Sequence, residues 1–287
     1  TAPYLQLQNE ANKMADIQLG SAVRTNLLSL QATASLIDRT QERLSSGLRV
    51  NSPVDDAKVF FEAKALNDRA ATLAEKKDGI DQAISSVSTA LEAVNAIDSI
   101  VEQLKGIAIS AKSASTAAEF TELNGQYNSL VGQINNLAAD ASYQGLNLVN
   151  GTGSTLTVEF SDTTTSILTV SSVDLRGGSA GGLAIYTGAT LSAGSLNSCA
   201  INQLDTAIAT LSAKAKTLGS NVALLQTRLD FTDSYVNELE TGAGKLTLAD
   251  ITEEGANLVA LQTRQQLGIS ALSFAGQAEQ SVLSLFR

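Results

Sequence analysis

The chain of 287 residues has no histidine and no tryptophan, one cysteine (Cys199), one methionine (Met14) and two prolines. Without histidine it lacks the commonest general base and the commonest metal ligand. A single cysteine can form neither an internal disulfide nor a thiolate zinc site, and it has no histidine to activate it. Cationic residues are also scarce. There are 19 Lys and Arg against 29 Asp and Glu, a formal net charge of −10. That balance is the reverse of what nucleic-acid phosphates or an anionic membrane surface attract. No run of about 18 apolar residues occurs, so no membrane insertion is expected. The first 20 residues carry Glu10, Lys13 and Asp16 in place of an apolar leader core. A cytosolic protein, or one leaving the cell without a cleaved signal, is the expectation.

Chemistry is thin in what remains. Asp55/Asp56 and Glu253/Glu254 are adjacent carboxylates, which do not face each other on a helix. No loop has the alternating oxygen spacing of a calcium site. Gly177, Gly178, Gly181 and Gly182 lack the lysine of a phosphate-binding loop and read as a hairpin tip. Cys199 at a helix start reads as a small packing residue. No catalytic, cofactor or metal site is expected.

What the sequence has in quantity is aliphatic periodicity. Hydrophobic residues reach 44% while aromatics stop at 4%. Val23, Leu27, Leu30, Ala34, Ile37, Leu44 and Leu48 recur at helical spacing. A second stripe runs from Val59 through Ala63, Leu73 and Ile80 to Val101 and Leu104. The cleanest runs Ile201, Leu204, Ile208, Leu211, Ala215, Leu218, Val222, Leu225, Leu229, Thr232, Val236, Leu239, a heptad pattern. A helix over Ser198–Glu240 would be about 65 Å long, which predicts a rod.

Between the helical arms, Asn150–Asn197 is dense in Gly, Ser and Thr. Its short apolar pieces (Leu156, Val158, Phe160; Ile167, Leu168, Val170; Leu183, Ile185, Tyr186) read as strands or hairpins. Gly47 and Pro53 should end the first helix, with Asp55 and Asp56 at the start of the next. Gly242 and Gly244 should break the heptads before a last helix from about Asp250. The fold class is mainly α: a long antiparallel helical bundle or coiled-coil rod with a small β-hairpin region.

The outer helices carry apolar residues on several faces. Leu28 and Leu36 flank the first stripe. The last helix adds Leu258, Val259, Leu261, Leu267, Ile269, Leu272, Phe274, Val282, Leu283, Leu285 and Phe286. Helices apolar on several sides want burial on several sides. Two readings stand: the ends fold back into a closed bundle, or they order on assembly through contacts that do not close, giving a filament.

Five strings resemble bacterial flagellins: RTNLLSLQ at Arg24–Gln31, LSSGLRVN at Leu44–Asn51 with SPVDDA following, SYQGLNLVNG at Ser142–Gly151, QQLGISALSFAGQ at Gln265–Gln277 and SVLSLFR at Ser281–Arg287. The resemblance covers both ends and most of the chain, in the family's order. It implies a structural subunit that self-assembles into the flagellar filament for swimming motility. The terminal helices, 14–44 and 250–287, would form the inner tube through Leu27, Leu28, Leu30, Ile37, Leu267, Leu272, Val282, Leu283, Leu285 and Phe286. Residues 45–55 and 241–249 would be linkers, the first built on Leu44, Ser45, Ser46, Gly47, Leu48, Arg49, Asn51, Asp55 and Asp56. The long helices, 56–149 and 198–240, would form the outer tube, and 150–197 would face the surface with Ser and Thr open to O-glycosylation. Residues 1–13 read as an extension.

The resemblance also implies partners: copies of itself in a helical filament, the type III export apparatus, a chaperone on the C-terminal helix, the filament cap and hook-junction proteins. An inserted zinc protease, which some relatives carry, would need histidine. At the segment an innate immune receptor reads in some flagellins, this chain has Gln103, Lys105 and Gly106. Weak recognition is expected, because lysine lacks the bidentate geometry of arginine. Alternatives are a hook–filament junction protein of the same family and, from another class, a chemoreceptor-like signalling rod, whose heptads would continue through a helical tip.

Overall fold

The computed structural model describes residues 21–161, 165–178, 182–185 and 195–285. The expectations for residues 1–13 and Tyr186 lie outside the described residues. The chain divides into two compact units, Thr1–Ala65 with Gly242–Arg287, and Leu66–Thr241.

Among the described residues the helices are α1 (Ser21–Ser46), α2 (Ala57–Ser113), α3 (Ala117–Asp140), α4 (Ser195–Thr247) and α5 (Ile251–Leu285). Two antiparallel hairpins stand between α3 and α4: β1 (Ser142–Tyr143) with β2 (Leu146–Asn147), and β3 (Thr155–Glu159) with β4 (Ile167–Ser171).

The unit Leu66–Thr241 is organised by the stripes read from the sequence. In α2, Ile80, Val87, Val94, Ile97, Val101 and Leu104 are buried. In α4 every second member of the heptad run (Leu204, Leu211, Leu218, Leu225, Thr232, Leu239) is buried, and those between are half-buried. Thr232 fits this dry position because its hydroxyl donates to the Arg228 carbonyl at 2.8 Å, which removes the cost of an unsatisfied polar group. Two interhelical ion pairs, Lys77 with Asp233 and Lys105 with Asp205, and one to the hairpin, Lys76 with Glu159, hold the flanks. Half-exposed pairs of this kind contribute about 0–1 kcal/mol each; the core carries the unit.

Two features depart from the stripe reading. The long helices expected over 56–149 are two, α2 and α3, because the chain breaks at 114–116. There Thr116 accepts from the Glu119 amide, and the Glu119 carboxylate accepts from the Ser115 and Thr116 amides at 3.0 and 3.2 Å. This reciprocal box starts α3. Second, α4 does not break at Gly242 or Gly244 but runs to Thr247. A Cβ on Gly244 would lie 3.3 Å from Leu248 Cδ1, so the glycine makes room for the returning chain instead of ending the helix. The helix penalty of about 1 kcal/mol for glycine is overridden by packing.

The turn of the first hairpin places Gln144 (φ 50°) and Gly145 (φ 83°) in the left-handed region, as a two-residue hairpin loop requires. Asn147, buried at its end, is saturated with hydrogen bonds. Its Nδ2 donates to the Ala138 and Ala139 carbonyls, and its Oδ1 accepts from the Val149 and Asn150 amides. It ties the C-terminus of α3 to the chain leaving the hairpin. The second hairpin pairs Thr155 with Ser171 and Glu159 with Ile167. Val158 and Val170 point into the core, while Thr157 and Thr169 face out. Among the described residues the third expected strand piece forms a single bridge, Gly177 with Leu183, although Leu183 and Ile185 are buried. Cys199 is exposed, so its reading as a small packing residue is corrected: α4 begins by turning that side outward.

Candidate assembly surface and linker clasp

In the other unit α1 packs along α5. Val23, Thr33, Ile37 and Thr40 are the buried members of α1. Leu30 Cδ2 would stand 2.7 Å from a Cβ on Gly268, so the missing side chain at Gly268 sets how closely the helices meet. Arg43 donates through Nη1 to Glu254 Oε1 at 2.9 Å. Glu254 is the more buried partner of the pair, and Arg43 gives its carboxylate a hydrogen-bonded counter-charge.

The pairing consumes little of the apolar surface. Leu28 remains 65% exposed, Val259 63%, Leu267 67% and Phe274 70%, with Leu27 and Ile269 also exposed. Ile37 is buried in the pair, and Leu30 and Leu272 are half-buried. Phe286 lies outside the described residues, as do the side chains of Val282, Leu283 and Leu285. Exposed apolar area on this scale marks an interface, because each such side chain would gain about 1.5–3 kcal/mol on full burial.

The string from Leu44 to Asp56 does more than connect α1 to α2. Gly47, at φ 70°, donates to the Arg43 carbonyl at 2.8 Å and ends α1 in the left-handed conformation that glycine adopts without strain. Leu44 is half-buried, Ser45 is exposed, and Ser46 Oγ accepts from the Leu48 amide. Beyond that the two connections are stitched together. Leu48 bridges Leu248, the Arg49 amide donates to the Thr247 carbonyl at 2.7 Å, and Ala249 donates to Gly47. Arg49 adds a side-chain bond from Nη2 to the Leu246 carbonyl. Asp55 Oδ2 then gathers the Asn51 and Ser52 amides and the Ser52 hydroxyl, and these bonds, that from the hydroxyl first, hold its carboxyl below the usual range. Asp56 Oδ1 accepts from the Val59 amide and caps α2.

The sequence marked these residues as a linker, but not as one half of a clasp. The missing signal was its partner, Leu246–Ala249, which no motif announces. At the segment compared with the receptor-binding stretch, Gln103 and Gly106 are exposed, and Lys105 is engaged by Asp205 at 2.5 Å. Among the described residues no group of His, Cys, Asp and Glu could hold a metal, and no helix is long and apolar enough to cross a membrane.

Paired terminal helices with uncovered apolar faces, clasped at the linkers, in a chain whose other unit is a helical core with a small hairpin, define a structural subunit made to assemble with others. Residues 20–154 match the family model of the bacterial flagellin N-terminal helical region, and residues 201–286 that of the C-terminal helical region. Flagellin FljO of Caulobacter vibrioides is 30% identical over 273 residues, covering 94% of this chain and 98% of that protein. Flagellin FljK of the same species is 32% identical over 262 residues, covering 91% and 94%. A flagellin of Brucella melitensis is 32% identical over 292 residues, covering 96% and 100%. A crystal structure of Bacillus cereus flagellin aligns with a TM-score of 0.48 at 22% identity, over 54% of this chain and 88% of that one.

The chain belongs to the bacterial flagellin family. It is a filament-forming structural subunit of the extracellular bacterial flagellum, and the signalling-rod and junction-protein alternatives are not favoured. A hairpin at Thr155–Ser171 stands where a signalling rod would carry a helical tip.

Proposed function

We propose that α1 and α5 line the inner tube of the filament, and that the apolar residues they leave exposed are covered by the same helices of neighbouring copies. The carrying observation is the exposure of Leu28, Leu267 and Phe274 in helices already paired with each other. Leu27, Leu30, Ile37 and Leu272 contribute along the same helices, and Val282, Leu283, Leu285 and Phe286 extend the apolar run toward the C-terminus. Residues 56–149 and 198–240 form the outer tube, 45–55 and 241–249 connect the tubes, and 150–197 face solvent.

The chain works by packing and carries no catalytic activity. It leaves the cell through the flagellum's own type III export apparatus, with a chaperone covering the C-terminal helix until export. The cap and hook-junction proteins meet the filament at its two ends. Recognition by the innate receptor is weak, a reading supported by the lone Lys105 and its engagement by Asp205.

The test is electron microscopy of the intact protein, seeded or salted out, beside a fragment of residues 50–245. Intact protein should give long tubular filaments, and the fragment a soluble helical monomer. Intact protein that stays monomeric with protease-resistant ends would overturn the inner-tube assignment.

A further inference from the structure

Beside the contact line of α1 and α5 runs a groove of about 560 Å³, walled by Leu36, Arg39 and Arg43 from α1 and by Glu254, Leu261 and Arg264 from α5. Three guanidiniums face one carboxylate, and that carboxylate is already taken by Arg43. Arg43 Nε is buried with no hydrogen-bond partner among the described residues. This positive groove belongs to a chain of formal charge −10, so the surface surrounding it in a filament is rich in carboxylates.

The same helix carries the complementary feature. Asp38 and Glu42 are exposed, one turn apart on α1. At about 100° per residue, the acidic pair is centred about 110° around α1 from the wall formed by Leu36, Arg39 and Arg43. One flank of the terminal pair is cationic with apolar walls, and the other is anionic.

We infer that the arginine-walled groove receives the Asp38–Glu42 flank of a second copy of this chain. The two surfaces differ, so the contact is heterologous: each copy offers one of each, and the series continues without closing on a pair, as a tube requires. Arginine suits the role, because its fork can bind a carboxylate bidentately while its stem covers the apolar wall. The inference rests on the terminal pair being the assembly surface, and it names the register and the partner of that surface.

Two charge variants of the full chain test it: Arg39→Glu/Arg264→Glu, which makes both flanks anionic, and Asp38→Arg/Glu42→Arg, which makes both cationic. Both leave the Arg43–Glu254 contact in place. Each variant alone should lose sedimentable filament by at least about tenfold, since like charges meet at every contact. An equimolar mixture should recover filaments, because each variant then supplies the charge the other lacks. Circular dichroism equal to the parent shows that folding is intact. Should the first variant lose helicity, the neutral Arg39→Gln/Arg264→Gln takes its place, with assembly lowered in the same direction and regained in no mixture. Variants that polymerise as the parent does, or a mixture that stays monomeric, overturn this contact. A parent that fails to polymerise overturns the inner-tube assignment instead.

Discussion

The two units use the same kinds of side chain to opposite ends. In Leu66–Thr241 the apolar stripes vanish into one another: Leu104, Leu204 and Leu211 are fully buried. Along α1 and α5 several leucines stay in solvent, Leu28 and Leu267 at about two-thirds exposure. Helix propensity does not separate the regions; partner supply does. The central helices find their partners within one chain. Two terminal helices cannot cover more than one face of each other, and the proposed assembly gives the remainder to other copies. A two-helix pair also recovers little of the ordering entropy of about 1–2 kcal/mol per residue, so it belongs at the low end of local stability in the free monomer.

The widest separation should come from truncating a leucine in each region. Leu104→Ala removes a fully buried side chain and should cost about 2–5 kcal/mol in urea unfolding of the monomer. Leu267→Ala should move the same midpoint by no more than about 0.5 kcal/mol, yet raise the concentration needed for filaments to appear by light scattering. Equal effects on monomer unfolding would erase the contrast between core and assembly surface.

Next in size are two glycines with positive φ. A Cβ on Gly151 (φ 69°) would lie 2.5 Å from Asp174 Cβ, whereas one on Gly47 (φ 70°) would meet nothing within 4 Å. Gly151→Ala should therefore cost more than the backbone strain alone, about 1–2 kcal/mol for the left-handed conformation, and Gly47→Ala only that strain. Thermal unfolding of the two variants compares them. If Gly47→Ala proves the more damaging, the clasp depends on more than the left-handed turn.

Smaller effects probe imperfections within the core. The Tyr127 hydroxyl is buried with no partner among the described residues, and burial pushes it up to about 12. Tyr127→Phe should be neutral or stabilising by up to about 1 kcal/mol, because an unsatisfied hydroxyl is removed; a clear loss of stability would reveal a bond the hydroxyl makes. The smallest shift is expected at Asp98, whose carboxyl is raised above its ordinary value of 3.8 by burial and then by Glu102. A carboxyl that prefers its neutral form in the fold lowers stability as pH climbs out of the ordinary carboxylate range. Asp98→Asn should thus gain on the parent near neutral pH, and that gain should fade as pH falls below the ordinary range. A gain that grows in acid would reverse the sign.

Much of this contrast was legible beforehand. The alternation of buried and half-buried residues from Ile201 to Leu239 is the heptad run itself, and the apolar excess of α1 and α5 announced a surface the chain does not cover. The start of α3 has a signal in the sequence, since Thr116 and Glu119 have the spacing of a capping box, but the apolar stripe read from Val59 stopped at Leu104 and left it unused. Gly242 and Gly244 misled because a glycine stops a helix only when packing does not hold it, and Leu248 uses the space at Gly244. The clasp stayed hidden because its bonds run between backbone groups some 200 residues apart in sequence, from Arg49 to Thr247. Backbone pairing over that distance leaves no side-chain pattern to read. Asn147 is the same case on a smaller scale: its four bonds depend on where α3 ends, which its neighbours in sequence do not state.

The most direct test is amide hydrogen exchange of the free monomer beside that of the filament, resolved by segment. Ordering on assembly predicts rapid exchange along α1 and α5 in the monomer and strong protection in the filament, while the Val87–Leu104 and Leu204–Leu225 segments stay protected in both. Terminal helices as protected in the monomer as those core segments would contradict it, and would mean that the ends are stable before any second copy arrives.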